Sequence, residues 1–200
     1  MQLEFNDIEK YLKSSYYVDY DNANIKNLVQ SEFKPSDNQI ETIEKAYLFV
    51  RDEICHSWDI QSSNVTVTAS QALAYKEGIC YAKSNLLAAI LRSLGIPAGF
   101  CYQRLSLFDT SNSPFCIHAL NAVYIDKINK WIRLDARGNK EGINARFSLN
   151  EEHLAFCVRE DMGEIDYPLI YAEPVKCTME ALENNIDALA IYLHNLPSSI

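Results

Sequence analysis

Gly95 and Pro97 divide this chain into stretches of different period, and that change constrains its fold more than any other feature. Before them, apolar residues recur at intervals of three and four: Ile40, Ile43, Tyr47, Val50 and Ile54, then Leu86, Leu87, Ile90, Leu91 and Leu94. Each set builds one buried helical face. The second helix opens at Cys80, ends at Gly95 and is barred from resuming by Pro97. After them, residues 98–105, 115–125 and 130–136 are rich in aromatic and β-branched side chains and read as strands. Their connections are short enough to make antiparallel neighbours. Helices followed by consecutive strands give an α+β class.

Shorter elements fill in around this division. Ile25, Leu28, Val29 and Phe33 suggest a helix over 22–33 that Pro35 ends, and Ser36 or Asp37 then caps a helix reaching about Cys55. Residues 70–77 suggest another, closed by Gly78 in a position that tolerates positive φ. A fourth strand is expected near 145–149. After Pro174, residues 179–193 return to helix with Leu182, Ile186, Leu189 and Leu193 as the buried stripe. The tyrosines at 11, 16, 17 and 20 line either a core or a peptide groove. We find no linker or repeat, so residues 1–200 form a single domain whose core spans about 36–150; 200 residues are ample for one core.

A net charge of -9 with no basic block argues against nucleic acid, because phosphate binding needs clustered Lys and Arg. The first residues, Met1-Gln2-Leu3-Glu4-Phe5, lack the basic start and apolar run of a signal peptide. No stretch approaches the roughly 18 apolar residues of a membrane span. A cytoplasmic location is therefore expected, with free thiols at the six cysteines and no membrane partner. The cysteines at 55, 80, 101, 116, 157 and 177 lack the paired spacing of a zinc site, and no metal or cofactor is expected. His153 and Cys157, spaced i, i+4, offer two ligands at most, and packing explains them better.

Chemistry concentrates in Cys80, His118 and Asp135. A free thiol ionises at a pKa of about 8.5 and leaves little thiolate at neutral pH. A helix N-terminus and an adjacent imidazole both favour the thiolate, and a carboxylate fixes the imidazole's tautomer. Cys80 opens a helix, whereas His118 and Asp135 lie in successive strand-like runs. In an antiparallel pair, opposite residues share a face and their numbers have a constant total. His118 and Asp135 face the same way only if that total is odd. A two-residue turn sets them opposite; a four-residue loop makes them diagonal neighbours roughly 7–8 Å apart at Cα. His118, Leu120, Ala122 and Tyr124 would then share a face with Trp131, Arg133 and Asp135, leaving the aliphatic residues on the other. The Cys80 helix is expected to pack across this arrangement and point its first residue at His118.

In this reading Cys80 attacks an amide or ester carbonyl, His118 carries the proton to the leaving amine, and Asp135 stabilises the imidazolium. The Cys80 backbone N–H is one oxyanion donor, and Gln71 or Trp58 is the candidate side-chain donor. Singly each residue has an ordinary explanation: a small buried Cys, a hydrogen-bonded core His, an Asp paired with Arg133 or Arg137. Their case rests on one another. Cys55 and His56 are sequence neighbours whose side chains diverge on a helix, which disfavours a dyad there.

The stretches Gly78-Ile79-Cys80-Tyr81-Ala82-Lys83-Ser84 and Leu91-Arg92-Ser93-Leu94-Gly95-Ile96-Pro97-Ala98-Gly99 resemble the core of bacterial transglutaminase-like proteins. Upstream, Val50-Arg51-Asp52-Glu53-Ile54 and His56-Ser57-Trp58-Asp59 are similar to the helix before that core. Downstream, His118-Ala119 and Trp131-x-Arg133-Leu134-Asp135-Ala136 are similar to its His and Asp strands. The likeness covers about residues 45–140. It implies a papain-like fold, with the nucleophile-bearing helix packed on an antiparallel sheet, and Cys-His-Asp amide chemistry. Hydrolysis of a peptide or protein substrate is the leading expectation. Acyl transfer to an amine is the alternative, and a catalytically silent protein-binding module the third reading. At 200 residues there is no room for the additional β-domains and calcium sites of the animal cross-linking enzymes.

Overall fold

The computed structural model describes residues 1–33, 38–108, 110 and 113–200. In chain order it contains β1 (Gln2–Leu3), α1 (Ala23–Glu32), α2 (Gln39–Glu53), β2 (Cys55–His56), α3 (Ala69–Tyr75), β3 (Glu77–Gly78) and α4 (Cys80–Ser93). Strands β4 (Ala98–Ser106), β5 (Phe115–Ile125), β6 (Lys130–Leu134), β7 (Ile165–Asp166) and β8 (Leu169–Ile170) follow, then α5 (Lys176–Glu183) and a last turn of helix, α6 (Ala188–Ala190). The main sheet is antiparallel in the order β6-β5-β4-β7, so the class is α+β. Among the described residues, no helix is long and apolar enough to cross a membrane.

Helix α4 is the centre of the molecule. Every residue from Cys80 to Arg92 is buried, more than a leucine stripe requires, because α2 and α3 cover one side and the sheet the other. Its polar side chains consequently need internal partners. Lys83 donates to the carbonyls of Ile54 and Arg51 at the end of α2. Asn85 donates to Val67 O at 2.9 Å, and Arg92 to Lys13 O at 2.8 Å and twice to Ala98 O. These bonds tie the helix to both layers and fix its rotation.

Ile125 pairs with Lys130 across residues 126–129, and Ala122 pairs with Arg133, so the register total is odd and the loop is the four-residue one. Ile117, Ala119, Val123 and Ile125 join Leu86, Leu87 and Ile90 in the main core. Leu120 and Ala122, on the His118 side, belong to a second cluster with Tyr11, Cys101 and Ile170. Helix α4 thus covers the aliphatic face of the sheet. Gly99 lets β8 approach the opposite face, since a Cβ there would lie 2.5 Å from Ile170 Cγ2 and 2.8 Å from Tyr171 O.

Several local expectations are corrected. Lys76, not Gly78, takes the left-handed conformation that closes α3; Gly78 instead permits close packing, because a Cβ there would sit 2.8 Å from Thr66 Oγ1 and 3.0 Å from Ala82 Cβ. Residues 145–149 form no strand, only a bridge between Arg146 and His153. The same segment puts His153 and Cys157 outside any helix, so no i, i+4 face exists there. The terminal helix is broken after Glu183, because Asp187 caps a new turn through the N–H groups of Leu189 and Ala190. Ile186 and Leu193 are accordingly 97% and 44% exposed, whereas Ala188 and Ile191 are buried. Tyr11 is core but Tyr16 is exposed. Asn38 caps α2, and Pro35, Ser36 and Asp37 lie outside the described residues.

Candidate active site

Cys80 is the first residue of α4, held there by β3, whose parallel pairing with β2 sets His56 against Gly78. The first N–H groups of a helix have no partner within it, and its dipole favours negative charge at this end. A cavity of about 610 Å³ opens in front of Cys80. It lies at the end of the sheet rather than over its face. Its walls come from the end of β4 (Leu105, Ser106), the start of β5 (Cys116, Ile117, His118), the segment Ala155-Phe156-Cys157, and Tyr192.

The register explains how His118 meets Asp135. Asp135 lies one residue beyond β6, diagonal to His118 on the same face. His118 Nε2 is 2.8 Å from Asp135 Oδ2, with the two residues 4% and 1% exposed. Backbone donors complete the carboxylate's shell: Ala155 N–H reaches Oδ2 at 3.0 Å and Arg137 N–H reaches Oδ1 at 3.2 Å. The other ring nitrogen, Nδ1, is not engaged by Asp135, and Cys80 lies near enough to add to the rise in the imidazole's pKa. Phe156 stands edge-on to the imidazole at 5.1 Å.

Burial by itself disfavours a charged imidazole, but the Asp135 carboxylate outweighs it and, with Cys80, raises the His118 pKa. Burial likewise opposes ionised Asp135, yet His118 and the two N–H donors hold its pKa below the ordinary carboxylate value. The pair therefore favours imidazolium beside carboxylate. Cys116 shares the cavity, but burial pushes its thiol up to about 12, as it does for Cys101. Neither competes as a thiolate.

The two side chains suggested as oxyanion donors lie elsewhere. Gln71 is exposed, and its carbonyl accepts the N–H groups of Val67 and Thr68 in the capping box of α3. Trp58 stacks on Tyr192 at 4.2 Å without itself lining the cavity. His56 lines it instead: Cys55 and His56 form β2 rather than a helical turn, and pairing with β3 sets His56 against Gly78, two residues before Cys80. Arg137 closes that side, paired through both Nη atoms with Asp59, which Lys140 also contacts at 2.7 Å. Despite its partial burial, these cations hold Asp59 well below the usual carboxylate range. Ala155, Phe156 and Tyr192 come from a part of the chain with no sequence signal for the site. Among the described residues no group of three or more His, Cys, Asp or Glu is arranged to hold a metal ion.

The family model of the transglutaminase-like superfamily matches residues 26–136, from α1 to just past β6. The structure is similar to that of "a Putative Cysteine Protease from Cytophaga hutchinsonii", at 24% identity and a TM-score of 0.54, over 66% of this chain and 43% of that one. It is also similar to "a TGase", at 18% identity and a TM-score of 0.43, over 63% of this chain and 33% of that one. This chain thus spans less than half of either solved structure. No curated protein matches it.

Proposed function

Because the chain belongs to the transglutaminase-like superfamily, we propose that it is a thiol enzyme acting on peptide-like amide bonds as a hydrolase. Cys80 is the nucleophile, His118 the proton carrier and Asp135 its orienting carboxylate. One observation carries the reading: a buried imidazole, bonded to a buried carboxylate, lines the same cavity as a cysteine at a helix N-terminus.

The steps follow from the placement. The Cys80 thiolate attacks the carbonyl carbon while the imidazolium waits beside it. The C=O pair moves onto oxygen, where the Cys80 backbone N–H stabilises it. Collapse breaks the C–N bond, and the amine leaves with the His118 proton. Water then attacks the thioester as His118 takes its proton, and collapse breaks the C–S bond, releasing the acid and restoring the thiolate and imidazolium. Leu105, Leu107, Phe156 and Leu196 give the cavity an apolar wall, which suits acyl transfer to an amine as the second reading. The substrate is a peptide or protein in both cases.

A mixed peptide library incubated with and without a primary amine distinguishes them by product mass. Hydrolysis leaves free carboxylates with or without the amine; transfer leaves new amides that require it. Cys80→Ala abolishes either product. Products that persist in Cys80→Ala would sink the proposal.

A further inference from the structure

We propose that His56, rather than Gln71 or Trp58, donates the side-chain hydrogen bond to the oxyanion formed at Cys80, an inference that rests on the thiol-enzyme reading above. His56 pairs with Gly78, two residues before the nucleophile. Its ring lines the same cavity as Cys80 and His118. The residue is 6% exposed, and its Nδ1 is buried without a hydrogen-bond partner. Nε2 is not among the buried unpartnered atoms and makes no bond within the described chain, so it is the ring nitrogen left for a ligand of the cavity that His56 lines.

A neutral imidazole carries one N–H. Placing that proton on Nδ1 would bury a donor with no acceptor. Placing it on Nε2 leaves only a lone pair at Nδ1 and offers the N–H to whatever occupies the cavity. The surroundings keep the ring neutral. Burial, then the Arg137 cation, hold its pKa well below the ordinary histidine value; Asp59 opposes them, while Lys83 and His118 add to the lowering. Tyr192 stands edge-on to the ring at 6.3 Å.

Two histidines with opposite charge preferences therefore line the cavity of one cysteine, the arrangement that separates proton carrier from hydrogen-bond donor. As the C–S bond forms and the carbonyl pair moves to oxygen, His56 Nε2–H bonds that oxygen and keeps its proton. The leaving group takes its proton from His118, so His56 ends the cycle unchanged.

Two reagents separate this role from others. Iodoacetamide alkylates a thiolate by displacement at saturated carbon and forms no oxyanion; p-nitrophenyl acetate acylates it through one. In His56→Ala, acylation of Cys80 should fall by about 10²–10³-fold, while alkylation stays within about twofold of wild type. His56→Gln, which retains an N–H, should recover part of the acylation rate. Undiminished acylation in His56→Ala would overturn the proposal, and so would parallel loss of both reactions, which marks a structural role. A wild-type Cys80 that reacts with neither reagent would sink the thiol-enzyme reading itself, and this inference with it.

Discussion

His118 Nε2 and Asp135 Oδ2 lie 2.8 Å apart because the four residues joining β5 to β6 set an odd register, which puts both side chains on the sheet face away from α4. His118 and Cys80 consequently share a cavity at the end of the sheet rather than over its face. Activation of the thiol then depends on one strand register and one helix start, which can be perturbed separately.

The imidazole is expected to set the reactivity of Cys80. In His118→Ala, alkylation of Cys80 by iodoacetamide at pH 7 should drop at least about tenfold, since the thiolate loses its cationic neighbour. Peptide mass mapping of the alkylated site checks this. An unchanged rate would mean that the two residues do not function together.

Asp135→Asn keeps the size of the side chain and removes its charge. Turnover should fall by about 10²–10⁴-fold, because an amide at this position no longer favours imidazolium. The N–H groups of Ala155 and Arg137 both need an acceptor here. One of them loses its partner if the amide nitrogen turns toward it, so unfolding free energy should also drop by about 1–3 kcal/mol. Kinetics and urea unfolding of the same variant test both parts.

Stability should respond to pH through two opposing groups. The folded pKa of His118 is raised, so its contribution is complete below about 6.5 and is lost as pH rises through the raised value. Lys83 is the reverse: burial lowers it to about 7 from an unfolded value near 10.4, so the folded state binds fewer protons and stability rises with pH across that window. Wild type should therefore show a shallow profile between pH 7 and 10. His118→Gln should turn it upward and Lys83→Met downward. Thermal melts across that range decide the matter, and identical profiles in all three proteins would contradict it.

Gly99→Ala probes the fold away from the chemistry. The added methyl meets Ile170 Cγ2 and the Tyr171 carbonyl, neither of which can retreat without moving β8 or the bridge to Phe100. A loss of about 1–3 kcal/mol is expected. Cys80 alkylation should be unaffected, because Gly99 lies at the start of β4 and the cavity opens at its other end.

The sequence by itself determined which segments are helix and strand where the periodicity is long. Strand β5 matches the expected 115–125, and α2, α4 and β4 lie within a residue or two of theirs. It also determined that His118 and Asp135 can share a face, because alternation along a strand is a local property. It failed where local signals compete. The stripe from Leu182 to Leu193 reads as one helix, but Asp187 caps a new turn and leaves Ile186 in solvent. Only the tertiary structure decided what surrounds the cysteine. Neighbours such as His56, Ala155, Phe156 and Tyr192 lie far from Cys80 in sequence and carry no periodic mark. They are defined by strand pairing and burial between distant segments, and a one-dimensional pattern does not encode which segments meet.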